Sequence, residues 1–182
     1  RWAKMIKLSF TKLCIRILSC LLLFGLSHSA VADSDVENRL KAALIYKMGL
    51  YVTWNNTPSQ VNYCFIGQDS QGVSEILELK FNQGKLPKSV SIVNKDSIRD
   101  VEKYECQIIF APVVRANDDE LYQSLSQASL TIAANSKELK HGLIASIEIV
   151  KGKPVLAVSK SNLKSSNIKI DTRLLAAVTF KD

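Results

Sequence analysis

Between Asn62 and Ala134 short apolar runs alternate with segments of helical pattern, an order that few folds accommodate. Asn62 to Ile66 reads as a strand, and Gly67 with Asp69-Ser70-Gln71-Gly72 turns the chain into a short helix, Val73 to Lys80. Asn82-Gln83-Gly84 and Pro87 break that helix before a second strand, Val90 to Val93. Asp96-Ser97 is a cap for a one- or two-turn helix reaching Lys103. Cys106 to Ala111 is the most apolar run and is predicted to be a central strand. Asn117-Asp118-Asp119-Glu120 places acids at the start of a helix from Leu121 to Ala128, where they suit the helix dipole. Leu130 to Ala134 follows as a fourth strand. The βαβαβαβ order predicts an α/β fold with a mostly parallel sheet and helices on both faces.

Ahead of this block, Glu37 to Trp54 has the length of a five-turn helix. From Ala42 to Val52 only Lys47 is neither apolar nor glycine, so the helix is expected to be buried on several sides. Its aromatic residues Tyr46, Tyr51 and Trp54 make it a candidate contact for another chain or a small hydrophobic ligand. Behind the block, Ile144 to Val150 alternates, and Lys151-Gly152-Lys153 turns the chain into Pro154 to Ser159 as an antiparallel hairpin at a sheet edge. Ser161 to Ile170 is polar and reads as irregular or as a short helix, and Asp171 caps a closing helix, Thr172 to Phe180.

Residues 1–32 read as a secretory signal peptide. Arg1, Lys4, Lys7, Lys12 and Arg16 precede the apolar run Leu18 to Leu26, and Ala30-Val31-Ala32 is a small-x-small cleavage site before Asp33. The expected product is residues 33–182, a single exported, soluble domain with no further run long enough to span a bilayer. Five of the 24 basic residues and none of the 17 acids lie in the leader, so the formal charge of +7 falls to +2 without it. The high isoelectric point is therefore a targeting signal and does not argue for nucleic acid binding. The remaining charge is uneven, with nine basic and four acidic residues from 137 to 182. Such a basic third suits an acidic protein partner, anionic lipid headgroups or, more commonly, a solvated surface.

Without the leader two cysteines remain, Cys64 and Cys106, each near the start of a predicted strand. A parallel sheet would bring them together as a structural bridge, a redox-sensitive one, or two buried thiols. Catalytic machinery is sparse. His141 is the one histidine after the leader and has no acid or cysteine at ligand spacing, so neither a metal site nor a catalytic residue is expected there. No nucleophile elbow, zinc-protease helix, phosphate loop or dinucleotide fingerprint occurs. Asp118-Asp119-Glu120 suits a helix start better than a cation, and Glu75, Glu78, Glu102 and Glu105 read as exposed helical positions. A binding protein without a cofactor fits this inventory, as a regulator of another protein or as a binder of small ligands; an enzyme of unrecognised type is the third class.

Leu40-Lys41-Ala42-Ala43-Leu44-Ile45-Tyr46, running to Tyr51-Val52-Thr53-Trp54, resembles the opening of YfiR/HmsC-type periplasmic proteins. The likeness extends to the strand with Cys64 and Gly67, the run Cys106 to Phe110, the loop Gly142 to Ile144, the hairpin around Gly152, and Leu174-Leu175-Ala176-Ala177. The resemblance implies a periplasmic repressor that binds the periplasmic domain of an inner-membrane diguanylate cyclase and so lowers cyclic di-GMP and biofilm formation. It also implies a Cys64–Cys106 disulfide, a link to redox control, a possible homodimer, and a partner surface near Leu156, Val158 and Leu163. The chain departs from the family pattern by lacking any cysteine after Cys106, with His141 in place of a glycine and Leu156 in place of Phe.

Overall fold

The structure, a computed structural model, describes residues 29–55 and 57–181. The chain divides into two compact units, Arg1–Val36 and Glu37–Asp182. The expected leader therefore lies outside the described residues as far as residue 28, and Ser29 already opens the first helix, α1 (Ser29–Gly49).

The predicted parallel sheet is present. In chain order the second unit contributes β1 (Val52–Trp54), β2 (Val61–Ile66), α2 (Gln71–Asn82), β3 (Val90–Lys95), β4 (Ile108–Ala111), α3 (Asp119–Ser126), β5 (Leu130–Ala133), β6 (Ala145–Val150), β7 (Lys153–Ser159), α4 (Lys160–Ser165), β8 (Ile168–Ile170), α5 (Thr172–Leu175) and β9 (Thr179–Lys181). Among the described residues the main sheet has seven strands in the order β3-β2-β4-β5-β6-β7-β9, with β1 and β8 forming a separate antiparallel pair. Pairing is parallel from β3 through β6, antiparallel between β6 and β7, and parallel again between β7 and β9.

Strand alternation sorts the core into two layers. Tyr63, Phe65, Ile108, Phe110, Leu130 and Ile132 pack on one face with Ala42, Ile45 and Met48 of α1 and Val73 and Leu77 of α2. Cys64, Ile66, Ile109, Ala111 and Ala133 point the other way, against Ile98, Tyr122, Leu125, Leu139 and Leu143. The spacing of Ala42, Ile45 and Met48 puts them on one side of α1, and Gly49 brings the helix end against Tyr63, whose hydroxyl donates to the Tyr46 carbonyl at 3.3 Å. Ala43, Lys47 and Leu50 form an exposed line, so α1 is buried on one broad face and not all round.

Several boundaries differ from the expectation. The opening helix stops at Gly49, and Val52–Trp54 leaves it as β1 to pair with Ile168–Ile170, because Val-Thr-Trp is a β-favouring run that finds a partner strand. The helix expected from Asp96 to Lys103 is a single 3-10 turn, Ile98–Asp100, closed by a reciprocal cap between Ser97 and Asp100. Glu102 and Glu105 accordingly lie in a turn and not on a helix. Glu105 pairs with Lys95 at 2.6 Å, and that contact lowers its carboxyl below the ordinary range. The closing helix is only Thr172–Leu175, capped by Asp171, and its predicted second half returns as β9 alongside β7.

Cys64 and Cys106 form a disulfide with a Cα–Cα distance of 5.8 Å. They are not register partners, since Cys64 lies opposite Ile109. The bridge instead ties β2 to the turn leading into β4, where Asn62 donates to the Glu105 carbonyl at 2.7 Å and Gln107 accepts from the Asn62 N–H at 2.8 Å. Both cysteines are buried.

Two predictions follow from this packing. Replacing both cysteines, Cys64→Ala with Cys106→Ala, opens a loop with a sequence separation of 42 and should cost about 4 kcal/mol on the chain-entropy estimate, read as a lower urea midpoint. A loss below about 1 kcal/mol would show that the hydrogen bonds around Asn62 suffice without the sulfurs. Gly49→Ala would drive its methyl into the Tyr63 hydroxyl and should cost about 1–3 kcal/mol. Adding Tyr63→Phe should recover part of that loss in a double-mutant cycle, whereas simple additivity would place the cost in helix geometry.

Candidate functional site

The outer half of the C-terminal hairpin extends beyond the strands on either side of it. β6 and β7 pair from Ala145 opposite Val158 out to Val150 opposite Lys153. On one side β5 reaches only Ala145 and Ser146, and on the other β9 reaches only Ala157 to Ser159. Residues 147–150 and 153–156 therefore project past the flanking strands. Lys151 at φ 52° and Gly152 at φ 74° make a two-residue turn whose positive φ values match the twist of the strands.

The alternation of the hairpin decides what solvent meets. On one face Ile147 lies opposite Leu156, both packed with the core, and Ile149 lies opposite Pro154. On the other, Glu148 opposes Val155 and Val150 opposes Lys153. Val150 and Val155 are 47% and 40% exposed and share this face of the hairpin. Of the three residues expected at a partner surface, Leu156 is half-buried, Leu163 on α4 is half-buried against the same core, and Val158 is fully buried. Val158 thus holds the hairpin base and presents nothing outward. Sequence reasoning passed over Val150, Pro154 and Val155; counting alternate positions back from the buried Val158 would have set Val155 on the opposite face.

The base of the hairpin is fixed by polar contacts. Asn162 on α4 donates to the carbonyls of Leu139 at 2.8 Å and Leu143 at 2.7 Å. Ser126 donates to the Gly142 carbonyl at 2.7 Å and lies 2.6 Å from Thr131, which accepts the Ile144 N–H at 3.0 Å. This closed series satisfies buried donors that would otherwise be costly.

The aromatic residues of the opening segment do not converge. Tyr46 packs on Tyr63 with ring centroids 6.1 Å apart. Tyr51 lies beneath the Arg173 guanidinium, 5.2 Å from its centroid. Arg173 in turn grips Asp171 through two nitrogens and holds that carboxyl down to about 2. Trp54 lines a cleft of about 480 Å³ with Pro58, Tyr104, Gln107, Asn167 and Ile168, whereas neither Tyr46 nor Tyr51 reaches it. The Trp54 Nε1 is buried without a hydrogen-bond partner, and Tyr104 stands 68% exposed at the cleft with φ 71°, a strained value for a ring-bearing residue.

His141 has more company than its sequence neighbours suggest. Its Nδ1 lies 2.8 Å from Asp119, and its Nε2 lies 3.6 Å from Glu138. The contact ties α3 to the 3-10 turn Ser136–His141. No group of three or more His, Cys, Asp or Glu side chains placed to hold a metal ion occurs among the described residues. No helix among them is long and apolar enough to cross a membrane.

The comparisons with known proteins agree with this architecture. A solved structure of a conserved domain protein from Vibrio cholerae O1 biovar El Tor strain N16961 superposes with a TM-score of 0.50 at 13% identity, covering 80% of this chain and 60% of that one, a likeness of fold alone. This chain thus spans less than two thirds of that protein. A search of the curated proteins finds no match. A family model described as YfiR/HmsC-like matches residues 38–177, from the middle of α1 to just before β9, and so takes in the disulfide, the hairpin and the Trp54 cleft. On that match across most of its length, the chain belongs to the YfiR/HmsC-like family.

Proposed function

We propose that this chain is a non-catalytic periplasmic regulator that represses an inner-membrane diguanylate cyclase by binding the cyclase's periplasmic domain. Membership of the YfiR/HmsC-like family supports the class of function. The observation that carries the docking surface is the hairpin projecting past its flanking strands with Val150 and Val155 on one exposed face. A β-branched pair on a rigid two-stranded arm supplies apolar area at low entropic cost, and Lys151 and Lys153 at the tip favour an acidic partner. Leu156, Val158 and Leu163 support that face from beneath. In this reading residues 1–32 direct export, residues 33–182 act as one domain, and an oxidising compartment keeps the Cys64–Cys106 bridge closed.

A second reading, a binder of small hydrophobic ligands, draws on one feature: the Trp54 cleft, with its largely apolar lining and the exposed, strained Tyr104 at its mouth. A planar apolar ligand would fit between those rings.

Deleting the gene should raise cyclic di-GMP in a strain that keeps the cyclase, and unchanged levels would overturn the repressor reading. Val150→Asp with Val155→Lys should leave the melting temperature nearly unchanged, because both positions are exposed and each new charge lies opposite one of the other sign, Lys153 and Glu148, while weakening capture of the cyclase's purified periplasmic domain by about tenfold or more. Undiminished capture would move the docking surface elsewhere. For the second reading, a panel of aromatic metabolites should quench Trp54 fluorescence saturably in the wild type and less in Gln107→Ala; a flat response removes it.

A further inference from the structure

The strand order places a second cleft where open parallel sheets generally accept ligands. β2 is followed by β3 on one side and by β4 on the other, so the chain reverses its direction of winding between β2 and β4. The connections leaving the carboxyl ends of these two strands part in opposite directions and leave a crevice between them. Here the crevice has a volume of about 510 Å³. Gly67, at φ 74°, turns the chain away directly after β2, and a Cβ at that position would meet nothing closer than the Asp96 carbonyl at 3.9 Å. The mouth is therefore open on the β2 side.

The walls carry opposite charges. On the β2 and β3 side stand Asp69 and Asp96, and on the β4 side stands Arg115. None of the three side chains makes a hydrogen bond or ion pair among the described residues. Asp118 at the back is already neutralised, since Arg99 reaches its Oδ1 through Nη2 at 2.7 Å and Nε at 2.8 Å. The floor is Tyr122. Its residue is only 1% exposed, and its hydroxyl makes no hydrogen bond to the described residues. A buried hydroxyl with no partner among the described residues, on a ring that lines the crevice, is a donor waiting for an acceptor. Burial and the neighbouring Asp118 push its ionisation up to about 12, so it stays protonated and able to donate.

We infer that this crevice binds a small zwitterion, its cationic group between Asp69 and Asp96 and its oxyanion on Arg115 and the Tyr122 hydroxyl. The charge pattern excludes simpler occupants. A lone anion would face two free carboxylates, and a lone cation would leave the guanidinium and the hydroxyl unmatched. The site is separate from the Trp54 cleft in its lining, and the inference stands independently of the docking reading.

The test is NMR titration of the purified protein with three matched probes, 5-aminopentanoate, pentanoate and pentylammonium. 5-Aminopentanoate should shift the amides of Gly67, Gln68 and Val113 saturably at millimolar concentration, and each singly charged probe should bind about tenfold more weakly or worse. Tyr122→Phe and the exposed Arg115→Gln should each weaken 5-aminopentanoate about fivefold or more. Asp96→Asn should narrow the preference for 5-aminopentanoate over pentanoate. Absence of saturable shifts at these amides, equal binding of a singly charged probe, or unchanged affinity in Arg115→Gln would each overturn the assignment.

Discussion

Burial of both faces of β2, β4 and β5 is the constraint to which everything else answers. In these strands every residue from Tyr63 to Ile66, from Ile108 to Ala111 and from Leu130 to Ala133 is buried, so each layer of side chains needs its own cover. One cover is α1 and α2 with the β1–β8 ribbon; the other is α3 with the 3-10 turns. Each fully buried large aliphatic side chain contributes roughly 1.5–3 kcal/mol, so loss of either cover would outweigh any single polar contact described here. The disulfide adds to this arrangement from within the second layer, where it fixes the turn that delivers β4 to its place beside β2.

How much of this was legible follows from which interactions are local. The central strands announce themselves because burial on two sides demands uninterrupted apolar runs, as in Ile108 to Ala111. The hairpin is equally plain, since Lys151-Gly152 encodes its turn within two residues. β1, β8 and β9 are three residues each, and their identity comes from partners far along the chain: Val52 from Ile170, Phe180 from Val158. A periodicity cannot be read from three residues. Thr172 to Phe180 consequently reads as a helix, although only its first four residues keep that form.

The sites show the same division. The cysteine pairing was within reach because only two cysteines follow the leader, but the geometry of the bridge was not, for it depends on a turn that sets Cys106 out of register with Cys64. Tyr46, Tyr51 and Trp54 are close in sequence and part company in space because the helix ends between them. Asp96, distant in sequence from Arg115 and Tyr122, shares a crevice with them through strand order. Val150 and Val155 become informative only when the neighbours of the hairpin prove too short to cover them.

Pro154 gives the projecting arm a further property. It lies in the outer half of β7, and its ring nitrogen has no hydrogen to offer a strand arriving along that margin. With Glu148, Lys151 and Lys153 nearby, the arm resists extension by another backbone and so resists polymerising with copies of itself. Recognition along that margin would have to read side-chain shape and charge, a form of recognition that a few substitutions can retune.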